Sequence, residues 1–219
     1  MKQNTKIKSF IFAAAVSLGV AMTASAQTAS ATAPAPSQPE PAAGLLGSRY
    51  TGVAYDYLDL SGTGPNHAQG LDLTFNQPLA ANFDLNLGYD WARANYAGAR
   101  YTQQDFEVGS TAYTNLNWGK PFALAAAGWD WARGGGAHDD SFFYKVGVGV
   151  EFPVAGSFSV SPFVNFERAT GFNENEFDFG VKAEYRVTRE WGVAARVQYD
   201  SIQHASDQTE YTLGVNYHF

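Results

Sequence analysis

The feature that most constrains the fold of this chain is the recurrence of apolar side chains at every second position from Arg49 onward. The segments Phe142–Phe152, Glu176–Val187 and Trp191–Asp200 carry aromatic and aliphatic residues on one parity and mostly glycine, alanine or polar residues on the other. Successive side chains of a β-strand point to opposite faces, so each segment predicts a strand with one apolar face and one polar face. The pattern therefore predicts an all-β protein.

A soluble β-sandwich would show the same alternation, and two features favour a membrane barrel instead. Aromatic residues stand at the ends of the apolar faces, and the polar faces consist mostly of glycine and charged residues rather than Ser, Thr and Lys. This distribution is typical of a barrel whose outer face contacts lipid. A mean hydropathy of -0.24, with no apolar run long enough for a spanning helix, excludes a helical membrane protein but not a barrel.

The alternation predicts an antiparallel up-and-down transmembrane β-barrel of ten strands, with eight as the alternative count, because barrels of this class close with an even number. Tight connections are expected on the periplasmic side and longer, Gly-rich loops outside, two of them at Ala94–Ala99 and Gly134–Ser141. Pro162 lies in mid-strand and predicts a β-bulge there. The predicted strands are Arg49–Leu60, Gly70–Gln77, Phe83–Arg93, Arg100–Leu116, Phe122–Arg133, Phe142–Phe152, Phe158–Arg168, Glu176–Val187, Trp191–Asp200 and Thr209–Phe219.

The first 44 residues divide into two segments that precede the barrel. Residues 1–26 combine an N-terminal region containing three lysines, the apolar run Phe10–Met22 and the small-x-small site Ala24-Ser25-Ala26, which predict a signal peptide cleaved near Ala26. Residues 27–44 consist almost wholly of Ala, Pro, Ser, Thr and Gln and predict a flexible periplasmic tether. Residues 45–219 are then the barrel domain.

The last strand provides the most specific motif. Its alternating residues run to an aromatic C-terminus, and they are Tyr211, Leu213, Val215, Tyr217 and Phe219. Here the sequence resembles the small bacterial outer-membrane β-barrel proteins, the OmpA-like and OmpX-like "porin family" barrels, although eight strands are usual among them. The resemblance implies that these five residues are an assembly signal read by the barrel assembly machinery. It also implies the outer membrane of a Gram-negative bacterium as the location.

The polar parity of the predicted strands is strongly acidic. It predicts a lumen in which thirteen carboxylates outnumber four bases, so that water and counter-cations occupy it and inward glycines leave space. The open alternative is a core of salt bridges in a barrel too narrow to conduct. The acidic members are Asp56, Asp72, Asp84, Asp90, Asp105, Glu107, Asp130, Glu151, Glu167, Asp178, Glu184, Asp200 and Glu210, and the basic members are Lys145, Lys182, Arg186 and Arg196.

Four arginines form a predicted collar on the outer face. Three follow an outward aromatic residue at the top of a strand and the fourth begins a descending strand, and they are Arg93, Arg100, Arg133 and Arg168. Arginine pairs bidentately with phosphate, which predicts contact with lipopolysaccharide. The alternative is that each is an ordinary snorkelling arginine.

Enzymatic and metal sites are weakly supported by the sequence. A protease site would need Asp90 and Asp130 to converge with His138 and Asp139 at the outer rim. A loop metal site would need His67, His204 and Asp207 to meet, and the absence of cysteine removes thiolate chemistry. We therefore expect no catalytic residue, no cofactor and no metal.

Function is expected to follow from the barrel and its interior. The sequence predicts a small porin-like or structural barrel, which conducts little and favours cations if it conducts. A surface interaction or adhesion protein is the alternative, followed by an outer-membrane protease or lipid hydrolase. A pI near 5.0 argues against nucleic acid as a partner. The expected partners are outer-membrane lipid, lipopolysaccharide and the assembly machinery, and the expected state is a monomer.

Overall fold

Ten β-strands make up most of the described part of the chain. The computed structural model describes residues 44–61, 65–203 and 207–219, so the predicted signal peptide and the predicted tether up to residue 43 lie outside it. The strands are β1 (Tyr50–Leu60), β2 (His67–Ala80), β3 (Phe83–Tyr96), β4 (Ala99–Tyr113), β5 (Lys120–Gly134), β6 (Ala137–Ala155), β7 (Phe158–Ala169), β8 (Glu174–Arg186), β9 (Trp191–Ile202) and β10 (Gln208–His218). The described residues contain no helix long and apolar enough to cross a membrane.

The strands form one closed antiparallel barrel. Each strand pairs with its neighbours in the chain, and β1 pairs with β10 from Tyr50 opposite His218 to Leu60 opposite Gln208. Closure gives every strand two partners, so the barrel has no free sheet edge. The prediction of ten strands is confirmed, and the alternative count of eight is excluded.

The distribution of side chains is inverted relative to a soluble protein. Large apolar residues are exposed on the outer face, for example Leu213 at 62% and Val148 at 60%, whereas most of the buried side chains described are polar or charged. The described apolar cluster is small and consists of Leu58, Ala68, Ala92 and Ala94 at one end of β1–β3. The barrel therefore requires an apolar solvent outside, as lipid provides.

Two of the predicted long loops are wrong. β3 and β4 are joined by Ala97 and Gly98 alone, with φ of 51° and 79°, and β5 and β6 by Gly135 and Gly136, with φ of 58° and 84°. Two consecutive residues at positive φ match the twist of a tight hairpin. The strands continue into the segments that were expected to be loops, and β6 reaches 19 residues, well beyond the about 9–11 that cross the hydrocarbon.

The predicted bulge at Pro162 is also wrong. Pro162 pairs with Val181 of β8 in continuous register, and the bridges to β6 on either side of it keep one register. The proline removes a donor without inserting an extra residue, so the ladder to β6 is interrupted and the register is unchanged. The register shifts occur instead near the turns that join β2 to β3 and β6 to β7, between Pro78 and Ala80 and between Pro153 and Ala155.

Candidate functional site in the acidic interior

The interior of the barrel holds the charged residues that the strand parity singled out. All thirteen of those acidic side chains are buried, as are Lys145 and Arg196, whereas Lys182 and Arg186 are half-buried. Glu174 and Glu176 are buried as well, and the sequence analysis missed both. Both share the parity of Asp178. Glu176 is the first residue of the predicted strand and was left out of the parity count, and Glu174 would have been found had that strand begun two residues earlier.

Four aspartates form one row across adjacent strands. Asp72 of β2 lies opposite Asp90 of β3, Asp90 opposite Asp105 of β4, and Asp105 opposite Asp130 of β5. Residues directly opposite on antiparallel strands have Cβ atoms about 4.5–5.5 Å apart, and like charges in such pairs are destabilising. The row therefore concentrates negative charge on one wall of the interior.

Two groups of carboxylates approach one another closely. Oxygen atoms of Asp56, Asp72 and Asp90 lie within 4.8 Å of one another, and we call these three residues the Asp56 triad. The second group, with the same spacing, is the Glu176 triad, formed by Glu176, Asp178 and Asp200. Each triad brings residues from two or three strands to one point of the interior.

The two triads differ in how many of their carboxylate oxygens accept hydrogen bonds. In the Glu176 triad, Asp200 accepts hydrogen bonds from the amides of Gln198 (2.6 Å) and Gln208 (3.0 Å), and Asp178 accepts one from Asn165 at 3.1 Å. In the Asp56 triad, Asp90 has neither carboxylate oxygen paired. The Asp56 triad is therefore the less satisfied of the two.

The interior bases act as bridges between carboxylates. Lys145 of β6 lies 3.1 Å from Glu107 of β4 and 2.8 Å from Glu167 of the adjacent β7. Arg196 contacts Glu210 and lies 3.9 Å from Asp72. Several carboxylate oxygens remain buried without a hydrogen-bond donor, and the residues concerned are Asp56, Asp72, Asp84, Asp90, Asp105, Glu107, Glu174, Glu176, Asp178 and Glu210. Buried carboxylates without donors are costly unless a proton or a cation neutralises them.

Inward glycines do not leave the open space that the sequence suggested. A Cβ added at Gly128 would collide with the ring of Phe143, one at Gly149 with Phe122, and one at Gly180 with Phe163. Aromatic rings of neighbouring strands therefore fill these positions. The interior is narrower than the glycine count implied, because the pairing of a glycine with an aromatic ring depends on strand register.

A short segment closes one end of the interior, the end at which β1 begins and β10 ends. We call residues 44–48 the N-terminal closure. The backbone N–H groups of Leu45 and Leu46 donate to Oε2 of Glu151 at 2.6 and 3.2 Å, and the N–H of Gly47 donates to Asp84 at 2.8 Å. Lys120 donates to the carbonyl of Leu46 at 2.8 Å and also pairs with Glu151 at 3.1 Å.

Further contacts fasten the N-terminal closure to β8 and β10. Arg186 donates to the carbonyl of Gly44 at 2.8 Å and to the hydroxyl of Ser48 at 2.9 Å. Ser48 also bonds to His218, whose other ring nitrogen lies 2.7 Å from Glu184. The sequence analysis assigned Gly44 to the tether and did not predict this closure. Two of the partners of the closure, Glu151 and Arg186, lie more than a hundred residues further along the chain.

An internal cavity lies between the N-terminal closure and the acidic row. Its volume is about 120 Å³, and its walls include Leu45, Glu107, Lys145, Lys182 and Arg196. A single water needs about 10–15 Å³ of such space, so the cavity has room for several water molecules.

The predicted collar arginines lie at the outer face, in two kinds of environment. Arg93 and Arg133 lie opposite the same residue, Thr102, and Arg133 also lies opposite His138. Arg168 is held within the protein by the side-chain oxygens of Asn173 and Asn175. Arg100 is exposed.

The residues of the hypothetical protease site are not brought together. His138 is exposed and lies opposite Arg133, whereas Asp90 and Asp130 are buried in the interior. In the hypothetical metal site, His67 stacks on Tyr57 and bonds to Asn66, and Asp207 accepts from Tyr199 at 2.8 Å. His204 lies outside the described residues.

The residues of the predicted assembly signal lie on the outer face of β10 and at the chain end. Tyr211, Leu213 and Val215 are exposed, and Phe219 is 65% exposed. The ring of Phe219 contacts Arg49, with 4.8 Å from the guanidinium carbon to the ring centroid, and its N–H donates to the carbonyl of Arg49 at 3.1 Å.

Comparison with solved structures addresses the fold. The β domain of the Bordetella autotransporter BrkA is similar with a TM-score of 0.50 and 11% identity, over 80% of this chain and 100% of that chain. The chain has the outer-membrane β-barrel fold. The translocator domain of the autotransporter NalP from Neisseria meningitidis (TM-score 0.49, 11% identity, 82% of this chain and 91% of that chain) and an outer membrane channel from Pseudomonas putida F1 (0.46, 12%, 84% and 99%) are further neighbours.

Sequence comparison adds no family to this barrel. No protein-family model matches the chain, and no curated protein matches it. At 11–12% identity the solved structures speak for the fold alone, so the role of this barrel must be argued from its own interior and surface.

Proposed function

We propose that the protein is a narrow, cation-favouring outer-membrane pore of a Gram-negative bacterium, without catalytic activity, whose periplasmic end is restricted by the N-terminal closure. The observation that carries this proposal is the charge imbalance of the interior. Buried acids occur on every strand of the barrel, whereas the predicted interior bases are four: the buried Lys145 and Arg196 and the half-buried Lys182 and Arg186. Rings of Asp and Glu favour cations, and a low-dielectric wall strengthens the effect.

The dimensions of the interior support low conductance. Barrels of about eight strands are filled by side chains and those of sixteen hold aqueous channels, so ten strands lie near the filled limit. Phe122, Phe143 and Phe163 occupy space inside the barrel, and a cavity of about 120 Å³ lies behind the closure. Ions would therefore pass singly and partly dehydrated.

Ion selectivity in planar bilayers tests the proposal. We expect reversal potentials in a KCl gradient to indicate cation preference, and we expect the double variant Asp90→Asn with Asp130→Asn to reduce it. Asp59→Asn is the matched control, because Asp59 is an exposed aspartate on the outer parity of β1. Silent bilayers for both the parent protein and a variant with a weakened closure, or a preference for anions, would refute the pore.

The outer face favours a second role, contact with lipopolysaccharide. Arg93 and Arg133 flank Thr102, and Trp129 of the same wall donates to Asp140 at 3.1 Å. Aromatic residues favour the membrane interface, and arginine recognises phosphate. This contact is a surface interaction in its own right, and it is compatible with conduction through the interior.

A further inference from the structure

We propose that the Asp56 triad is a calcium-binding site inside the barrel. Asp56, Asp72 and Asp90 come from β1, β2 and β3, and one oxygen of each lies within 4.8 Å of the others. Calcium binds oxygen ligands at about 2.3–2.6 Å, so two ligands of one ion are separated by at most about 5 Å. The spacing of the triad fits a single shared ion.

The triad contains carboxylate oxygens that no hydrogen-bond donor of the protein contacts, which supports the binding of a ligand. Asp90 is 2% exposed, and neither of its carboxylate oxygens has a hydrogen-bond donor. One oxygen each of Asp56 and Asp72 is likewise buried and unpaired. Hydrogen bonds do not account for this arrangement, and close like charges in a low-dielectric interior are neutralised by a bound cation or by protons.

A fourth carboxylate outside the triad adds independent support. Asp105 lies directly opposite Asp90 on β4, is 4% exposed, and has one buried oxygen without a donor. Two bases lie beside the triad: Arg196, which is 3.9 Å from Asp72 and is shared with Glu210, and Lys182, which lines the same cavity as Asp72. The four aspartates therefore carry more negative charge than the protein itself neutralises.

The chemistry of the ligands selects the metal. The site offers carboxylate oxygens alone, which suits hard cations and disfavours zinc or copper, for which histidine or cysteine would be expected. Mg²⁺ demands near-ideal octahedral geometry, whereas Ca²⁺ accepts irregular sets of six to eight oxygens, including bidentate carboxylates. Carboxylates held at fixed positions on three strands therefore favour Ca²⁺.

The backbone beside the triad is closely packed. Gly70 lies opposite Asp56 on β2, and a Cβ there would lie 2.8 Å from the carbonyl oxygen of Trp91 and 3.4 Å from the Cβ of Asp56. The close approach of the Trp91 carbonyl therefore favours glycine at this position. The Glu176 triad has more of its carboxylate oxygens paired than the Asp56 triad, because Asp200 and Asp178 already accept hydrogen bonds from amide side chains.

Calcium titration of the full-length mature protein, refolded in detergent and freed of metal with chelator, tests the site. We expect saturable binding of one Ca²⁺ by calorimetry, at least tenfold tighter than Mg²⁺, with a rise in the thermal midpoint on adding Ca²⁺. Asp90→Asn and Asp56→Asn should each weaken Ca²⁺ binding at least tenfold. Asp178→Asn, in the Glu176 triad, is the matched control and should bind Ca²⁺ as the parent does.

The outcomes separate this site from the proposed pore. No saturable binding, equal effects of Ca²⁺ and Mg²⁺, or equal loss in the Asp178→Asn control would overturn the site. A thermal midpoint that rises with acidification and ignores Ca²⁺ would also overturn it, because protons then neutralise the carboxylates. Calcium binding is measured in detergent without conduction, so a silent bilayer leaves the site standing, and cation-selective currents without Ca²⁺ binding leave the pore standing.

Discussion

The replacement Glu151→Gln should release the N-terminal closure while leaving the barrel intact. Glu151 accepts the N–H groups of Leu45 and Leu46 and pairs with Lys120, and its side chain is almost fully buried. A hydrogen bond to a charged acceptor contributes about 1.5–3 kcal/mol, against about 0.5–1.5 kcal/mol for a neutral one. Neutralising the acceptor therefore costs about 1 kcal/mol for each of the two bonds.

The ion pair adds less to this loss. Lys120 is partly exposed, so solvent screening reduces its share to a few tenths of a kcal/mol. The total is about 2–3 kcal/mol, which raises the undocked population of residues 44–48 roughly 30- to 150-fold, at tenfold for every 1.4 kcal/mol. The backbone pairing of β5 and β6 is not affected, so the thermal midpoint of the barrel should change little.

A single introduced thiol measures this release. The natural chain has no cysteine, and Leu45 is 8% exposed in the docked state, so Leu45→Cys reacts with a maleimide chiefly after undocking. We expect labelling of Leu45→Cys to accelerate by the same factor when Glu151→Gln is added. Glu190→Gln is the matched control, because Glu190 is an exposed glutamate in the turn between β8 and β9. Equal labelling rates with and without Glu151→Gln would refute the assignment of Glu151 as the anchor.

Three further predictions concern assembly, lipid and packing. Deleting Phe219 should lower the amount of barrel in the outer membrane but leave refolding into detergent near normal, because its described contacts are confined to Arg49 and Tyr217 at the chain end; equal membrane levels would contradict an assembly signal. Changing all four collar arginines to Gln should reduce the thermal stabilisation by added lipopolysaccharide, whereas Arg189→Gln should not; an unchanged shift would leave only snorkelling arginines. Gly128→Ala should destabilise the barrel by about 1–3 kcal/mol in urea titrations, because the added methyl collides with Phe143, while an outward change at Ala127 should be nearly neutral.

The fold was predictable because the two faces of each strand meet different surroundings, and the sequence alternates accordingly. Lipid outside and a polar interior require opposite residue types at successive positions, so parity alone located the strands and the thirteen buried acids. Strand ends were less predictable. Ala97 and Gly98 form a two-residue turn by adopting positive φ, and an Ala–Gly pair in a sequence does not by itself predict that conformation.

The contents of the interior were less predictable than its charge. The pairing of Phe143 with Gly128 depends on register between β5 and β6, and register is not visible in one strand's pattern. The docking of Leu45 on Glu151 joins residues 106 positions apart through backbone N–H groups, which every residue except proline offers. The N-terminal closure is short and has no periodic pattern, so its sequence did not predict where it docks.

The seam between β1 and β10 has a consequence for the order of folding. Ser48 and His218, which meet at this seam, are 170 residues apart in the chain, so the seam is the longest-range pairing of the barrel. Contacts of high sequence separation carry the largest loop-closure entropy and form late. Every other strand pair joins chain neighbours and can form progressively along the sequence. The seam is then the last strand pair to form. The N-terminal closure contacts Arg186 of β8 and His218 of β10 through Ser48, so it docks after the barrel has closed.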